Sequence, residues 1–224
     1  MAKTYQSIID KASLVLQDED TNQSTRRWDD TEMLTWAHDS ELEIAKFKPD
    51  SYPVVEVVAL ASGSQQSIPT RATQLLDVLC NMSTDGTTRG NIIQVVEKKL
   101  MNAINPGWMA DTAVAAVTHV IYDHKRMPKL YWVYPKSAGN NYIEIVTNKL
   151  PDNESNVIGD NILLDDEYAN VMLHYILAMC YSKDLDIPNS AQRVAGHMNF
   201  FLDSLGRKEL AEEIYGPKKT SEDD

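Results

Sequence analysis

The sequence predicts an α+β protein in which an α-helical bundle of N- and C-terminal helices carries an inserted antiparallel β-rich layer. Two observations support this fold class. Apolar side chains recur at helical spacing near both ends of the 224-residue chain. Between them, β-branched and aromatic runs alternate with turn residues, which is typical of strands. We expect N-terminal bundle helices in residues 1–52, a β-rich insertion in 53–160, a C-terminal helical hairpin in 161–207 and a flexible tail in 208–224.

The N-terminal part predicts two helices. The first covers residues 4–16, where six apolar side chains share one face: Tyr5, Ile8, Ile9, Ala12, Val15 and Leu16. A polar stretch follows, and Asp29, Asp30 and Thr31 have the composition of a helix cap. The second helix ends before Pro49, and its buried stripe would contain Met33, Trp36, Ala37, Ile44 and Phe47.

The middle of the chain predicts strands. "YPVVEVVAL" at 52–60 indicates a strand, and "ASGSQQS" after it indicates a loop. Residues 74–82 fit a strand or a short helix equally well, whereas residues 91–104 should begin as a strand and end as a helix. The later runs "AAVTHVIYD", "KLYWVYP" and "NNYIEIVTNKL" are separated by short turn segments, so they predict a β-meander.

One of these strands, "PKLYWVYP" at 128–135, is apolar or aromatic on both faces. Leu130, Trp132 and Tyr134 point one way, and Tyr131 and Val133 point the other. A strand at the surface would have one polar face, so another element must cover the second face. We expect Trp132 to lie in the core of the β layer. Tyr131 and Val133 would then face a neighbouring element, and both are candidate contacts with an adjacent subunit.

The C-terminal part predicts a helical hairpin. Asp165 and Asp166 are candidate caps of a helix with one broad apolar face. Pro188 lies near the start of the final helix, where proline is tolerated. Gly206 is a plausible residue after the helix end, because glycine adopts the left-handed conformation found there.

Charge and composition exclude several classes of protein. The chain has 33 acidic and 21 basic residues, a net charge of −12, which disfavours wrapping of nucleic acid. No stretch approaches the roughly 20 apolar residues of a membrane span, and the N-terminus lacks the apolar core of a signal peptide. Cys80 and Cys180 each lie in an apolar run, and buried free thiols are expected there.

The sequence contains no recognisable catalytic motif, so we expect no catalytic residue, no metal site and no cofactor. No pair among the five histidines has metal-site spacing, and glycine-rich phosphate motifs are absent. His174 and His197 should lie on facing helices, where a solvated or hydrogen-bonded histidine is the commoner role. Solvation and capping account better than acid–base chemistry for the acidic clusters, which occupy residues 18–20, 29–30, 165–167 and 222–224.

The segment "RRWDDTEMLTWAHDSELEIAKFKPDSY" resembles the opening helix of the head–tail adaptor (connector) proteins of short-tailed bacteriophages. Later segments follow in that family's order: "SIP", "LLDVLCNM", "NPGWM", "YDHKRMPKLYWVYP", "YILAMCYSKD" and "FLDSLGRK". The resemblance covers about residues 5–208. It depends on the order and spacing of these segments, since each alone consists mostly of core and turn residues.

The resemblance implies a structural virion protein without enzymatic activity. It would be assembled in the host cytoplasm and would form a homo-oligomeric ring, typically twelve-fold, beneath the portal protein at the head–tail interface. Packaged DNA would pass through the channel without sequence-specific binding, and the tail tube or nozzle would attach below. Because related connectors often bind the portal through the C-terminal segment, Tyr215, Lys218 and Lys219 are the candidate portal contacts.

Two alternatives remain open at this point. The first is a tail-tube or tail-completion protein that never touches the portal, and direct portal binding separates it from an adaptor. The second is a metal-dependent hydrolase or nuclease that uses the acidic clusters. That alternative predicts stabilisation by Mg²⁺ or Mn²⁺ and loss of activity on substitution of Asp165 or Asp166 by alanine.

Overall fold

The structure is a computed structural model, and it describes residues 2–20, 26–183 and 188–206. Contacts divide the chain into two compact units. Met1–Lys48 and Pro151–Asp224 belong to one, called here the helical unit, and Pro49–Leu150 form the other, called the β unit. Helices and strands together confirm the predicted α+β fold class.

The two predicted N-terminal helices are confirmed. Helix α1 spans Tyr5–Leu16, and the Thr4 hydroxyl before it accepts a hydrogen bond from the Ser7 N–H at 3.2 Å. Helix α2 spans Asp30–Phe47, and the Asp29 carboxylate accepts one from the Glu32 N–H at 2.8 Å. Both ends are therefore fixed by the side-chain capping that the sequence indicates.

The C-terminal hairpin is also present, with one correction at its start. Helix α4 spans Ala169–Lys183 after a single 3₁₀ turn, Asp166–Tyr168, and helix α5 spans Ser190–Ser204. Asp165 occupies the N-cap position of this turn as predicted, but the predicted capping by Asp166 is wrong. The Asp165 side chain makes no capping hydrogen bond, and Asp166 Oδ1 instead accepts one from the Lys3 backbone N–H at 2.7 Å.

The end of α5 follows the predicted pattern. Leu205 is the C-terminal cap, and Gly206 after it has a φ of +72°. This left-handed conformation is the one that glycine adopts at little steric cost.

Helix α4 is the centre of the helical unit, because it packs against α1, α2 and α5. Its sequence is apolar on most sides, as expected of a buried helix. Among the described residues of this unit, Glu41 is the buried charged side chain. Glu41 accepts hydrogen bonds from the Tyr5 hydroxyl at 2.8 Å, the Asn153 amide at 2.8 Å and the Leu163 N–H at 2.7 Å. It therefore joins α1, α2 and the segment that precedes α4.

The β unit is a sandwich of two four-stranded sheets. The first sheet has the order β1-β8-β3-β4, formed by Pro53–Ala59, Tyr142–Lys149, Ala72–Met82 and Arg89–Ile92. The second has the order β2-β7-β6-β5, formed by Gly63–Ser67, Leu130–Ser137, His119–Tyr122 and Gln94–Val96. Helix α3, Lys98–Ile104, follows β5. Neighbouring strands are antiparallel except β5 and β6, which are parallel.

Two expectations about these strands are wrong. The segment 61–67 is not only loop, because Gly63–Ser67 pair with β7 as an edge strand. The β-meander is also wrong, because β6 pairs with β7 whereas β8 lies in the other sheet between β1 and β3. The ambiguous segment 74–82 is strand, and residues 91–104 do begin as strand and end as helix.

The first and last strands of the β unit are neighbours. Strands β1 and β8 pair along their whole length, from Pro53 opposite Asn148 to Ala59 opposite Tyr142. The Lys149 N–H donates to the Tyr52 carbonyl at 3.3 Å, so the chain enters and leaves this unit side by side.

Both faces of β7 are covered by the same chain. Tyr131 and Val133, 1% and 0% exposed, point between the sheets and pack in one cluster with Ile143 and Ile145. On the other face, Trp132 packs in a second cluster that contains Met101 of α3, Trp108 and Ile121. The orientation of the strand is the reverse of the predicted one, because Trp132 is buried as expected but under α3 on the outer face of its sheet, whereas Tyr131 and Val133 lie in the core between the sheets. The first sheet and the α3 segment therefore explain why this strand has no polar face.

Candidate assembly surfaces of the β unit

Two exposed apolar surfaces lie on the two outer faces of the sandwich. The first, called the sheet surface, lies on the outer face of the β1-β8-β3-β4 sheet. Ile143 and Ile145 of β8 point into the core, so their neighbours on the strand point outward. Residues opposite those neighbours, Val57 across from Glu144 and Val55 across from Val146, are exposed on β1.

A groove runs along β3 and β4 on this sheet surface, with a volume of about 520 Å³. Its lining includes Asp77, Cys80, Arg89, Ile92 and Glu144. Ile92 is 79% exposed, which leaves its side chain largely without neighbours in the single chain. The groove therefore combines apolar and charged groups, as the interfaces of proteins do.

An ion pair forms one side of the groove. Arg89 Nε and Nη2 donate to the two carboxylate oxygens of Glu144, each at 2.8 Å. The hydrogen bonds from Arg89 lower the pKa of Glu144. Burial raises the pKa of the Cys80 thiol, whose Sγ lies 3.8 Å from Glu144 Oε2. The opposite charges of Arg89 and Glu144 therefore nearly cancel at this side of the groove. Asp77 on β3 is exposed.

Strand β4 lies close to β3 because residue 90 is a glycine. A Cβ built there would lie 3.2 Å from the Asn81 carbonyl oxygen. Asn81 is itself buried, and its amide donates to the Val117 carbonyl at 2.7 Å while its Oδ1 accepts from the Val117 N–H at 2.8 Å. The two hydrogen bonds between Asn81 and Val117 therefore hold β3, which forms one wall of the groove, in place.

The second surface, called the α3 surface, lies on the other outer face. Met101 packs against Trp132, whereas Leu100 and Ile104 are 53% and 71% exposed. Positions i and i+4 of a helix are neighbours, so Leu100 and Ile104 form one apolar ridge. Beside it lies an apolar pocket of about 100 Å³, whose lining includes His119 and Tyr134.

The α3 surface also has positive charge. Lys98 and Lys99 begin α3, and the helix contains no acidic residue between Lys98 and Ile104. Lys98 Nζ lies 5.0 Å from the ring centroid of Trp132, in a cation–π geometry. Lys99 is exposed and belongs to no ion pair within the described part of the chain.

The predicted subunit contacts do not lie on either surface. Tyr131 and Val133 are buried between the two sheets of one chain, so in that chain they expose almost no side-chain area to another subunit. The predicted portal contacts Tyr215, Lys218 and Lys219 lie outside the described residues. Sequence reasoning missed Leu100, Ile104 and Ile92, although the i, i+4 spacing of the first two was a usable signal.

The expected hydrogen-bonding role of His174 and His197 is confirmed. Their Nδ1 atoms lie 2.9 Å apart, His174 stacks on Phe200 and His197 stacks on Tyr181. Arg193 Nη1 donates to the Tyr181 hydroxyl at 3.1 Å. Within residues 2–20, 26–183 and 188–206, no three His, Cys, Asp or Glu side chains lie close enough together to hold a metal ion.

Both cysteines are buried and free, as predicted. Burial raises the pKa of the Cys180 thiol to about 12. A thiol of this kind is a packing group rather than a nucleophile.

No helix among the described residues has the length and apolar character needed to cross a membrane.

Comparison with known proteins identifies the family. A search of curated proteins finds no match. The family model described as SU10 adaptor protein matches residues 3–221, nearly the whole chain. This match agrees with the resemblance to phage head–tail adaptors, and the chain therefore belongs to the SU10 adaptor protein family, a family of phage structural proteins.

Proposed function

We propose that the protein assembles into a ring beneath the portal, extends the DNA channel and provides the platform to which the tail attaches. The observation that supports this function is the family match over residues 3–221. The position of the ring and its twelve-fold symmetry come from the resemblance to head–tail adaptors.

The two surfaces of the β unit support a ring in particular. Exposed apolar patches on a soluble protein mark contacts with other molecules. When two different surfaces of one subunit contact each other between copies, the association is head-to-tail, and it closes into a ring if the rotation permits. The sheet surface and the α3 surface differ in shape and in charge, so they fit this kind of contact.

The charge of the chain supports a channel role. A net charge of −12 in each subunit, repeated around a ring, creates a negative potential that repels the phosphates of DNA. Packaged DNA would then pass through without tight binding, because affinity for phosphate depends on lysine and arginine contacts.

The proposed portal contact lies in the C-terminal segment. Tyr215, Lys218 and Lys219 combine an aromatic ring and two positive charges within five residues, and acidic residues follow at positions 222–224. A segment of this composition is suited to ordering on a partner surface. The tail tube or nozzle protein would bind elsewhere on the ring.

Native mass spectrometry of the protein mixed with the portal protein of the same genome tests this proposal. We expect a complex with one chain per portal subunit, or with a fixed multiple of it. A Lys218→Glu, Lys219→Glu double variant should bind the portal more weakly, whereas Lys125→Glu, an exposed charge change in the β unit, should not. Absence of a complex when both proteins are folded would exclude the adaptor role and favour a tail-completion protein.

A further inference from the structure

We infer that neighbouring copies join through the β unit, with α3 of one copy packed into the groove of the sheet surface of the next. This inference rests on the proposed ring, and it names the surfaces that would form it. The partner is a second copy of this chain.

The ridge on α3 and the groove on the sheet surface have complementary shapes. Leu100 and Ile104 form a ridge one helical turn long that projects from α3. The groove along β3 and β4 has a volume of about 520 Å³ and is open to solvent along its length. It therefore has room for two aliphatic side chains, and Ile92 at its margin gives them an apolar contact.

The α3 surface and the sheet surface carry opposite charges. Helix α3 carries Lys98 and Lys99 and no acidic residue, and the exposed N-cap residue Glu97 offsets one of these two positive charges. The sheet surface carries Asp77 and Glu144 with one arginine, Arg89, which Glu144 already binds. Asp77 has no cationic partner within the residues that the structure describes. Pairing Lys99 of one copy with Asp77 of the next matches the two exposed charges.

The positions of the two surfaces favour a head-to-tail contact between copies. The two surfaces lie on opposite outer faces of one sandwich, so they cannot contact each other within a chain. A two-fold contact would instead place two α3 surfaces of the same charge opposite each other, which lacks the charge complementarity of the head-to-tail contact. The head-to-tail arrangement is also the one that generates rings.

A charge exchange tests the inference. Asp77→Lys and Lys99→Asp should each reduce ring assembly on the portal by about tenfold or more, since each places like charges opposite one another. The double variant restores opposite charges across the same contact, so its assembly should recover to near the wild-type level. Lys125→Asp, a charge reversal outside both surfaces, is the matched control and should assemble normally. Native mass spectrometry counts the copies, and thermal unfolding checks that each variant is folded.

The result separates this inference from the proposed function. Folded single variants that assemble like the wild type, or a double variant that fails to recover, would overturn the contact between α3 and the sheet surface. Failure of the wild-type chain to bind the portal would instead overturn the adaptor role. Leu100→Ser and Ile104→Ser give a second reading, because both remove exposed apolar surface without changing charge and should also reduce the number of copies in the ring.

Discussion

The Nδ1 atoms of His174 on α4 and His197 on α5 lie 2.9 Å apart, so the Nδ1–H of one ring donates a hydrogen bond to the Nδ1 of the other. A protonated imidazole has two donors and no acceptor, and the two rings therefore cannot both be protonated in this geometry. Burial lowers the pKa of both histidines. The charge of His197 lowers the pKa of His174 further, and the charge of Arg193 lowers that of His197.

This pair predicts that acid destabilises the helical unit. A histidine whose pKa is lower in the folded chain binds protons more readily when unfolded, so folding loses stability as the pH falls below about 6.5. We expect the urea midpoint to fall between pH 7.5 and 5.0. A His174→Gln, His197→Gln variant should lose less over the same range, because it lacks both groups. An equal loss in the two proteins would contradict a role for the pair.

Glu41 predicts a large effect of a single substitution. Glu41→Ala removes the acceptor of the Tyr5 hydroxyl, of the Leu163 N–H and of one N–H of the Asn153 amide, whose Nδ2 also donates to the His38 carbonyl. An unsatisfied buried donor costs about 1–3 kcal/mol, so the free energy of unfolding should fall by at least about 3 kcal/mol. Glu43→Ala on the same helix is the control, because its pair with Lys46 is largely exposed and should contribute under about 0.5 kcal/mol. Urea unfolding compares the two variants, and similar losses would refute the role of Glu41.

The burial of Trp108 predicts that truncation of its side chain destabilises the β unit. Its ring is 1% exposed in the cluster with Trp132, and its Nε1 donates to Asn102 Oδ1 at 2.9 Å. Truncation of a buried tryptophan to alanine costs about 3–5 kcal/mol. We expect Trp108→Ala to lower the unfolding free energy by that amount, measured by chemical denaturation. Met109→Ala, next to it and exposed, should have little effect, and a loss as large as that of Trp108→Ala would show that the burial is not the cause.

The burial of the Cys80 and Cys180 thiols predicts that both react slowly with a disulfide reagent in the folded protein. Cys180 is fully buried, with its pKa raised to about 12, and burial also raises the pKa of Cys80. Since the thiolate is the reactive form, a disulfide reagent at pH 8 should modify neither residue in the native chain and both in urea. Rapid modification of one thiol without denaturant would show that its surroundings open readily.

The helices and most strands could be predicted because their apolar residues follow regular periods. Strand β2 could not, since "GSQQS" is polar and lies at a sheet edge. There the side-chain amide of Gln66 accepts a hydrogen bond from the Ala61 N–H through Oε1 and donates one to the Ala61 carbonyl through Nε2. The meander was mispredicted because neighbouring runs in the sequence usually pair. Here β7 and β8 are adjacent in the chain but lie in different sheets.

The candidate surfaces were harder to predict than the fold. The two apolar faces of their strand predict that another element covers Tyr131 and Val133, but a sequence does not show that this element is a second sheet of the same chain. Helix α3 presented the opposite difficulty. Its periodicity predicts a buried face, and Met101 occupies it, but the apolar residues Leu100 and Ile104 remain outside. Only the packing of α3 on Trp132 shows which side is left exposed.

The side-by-side arrangement of the ends of the β unit has a consequence for how this chain can change over time. Because Tyr52 and Lys149 are hydrogen-bonded neighbours, residues 53–148 form a loop that is closed at its base. Insertions or deletions within that loop leave the distance between its two ends unchanged, so they place no demand on the chain outside it. The exposed surfaces of the β unit can therefore change in length and composition without moving the two points at which the chain enters and leaves the unit.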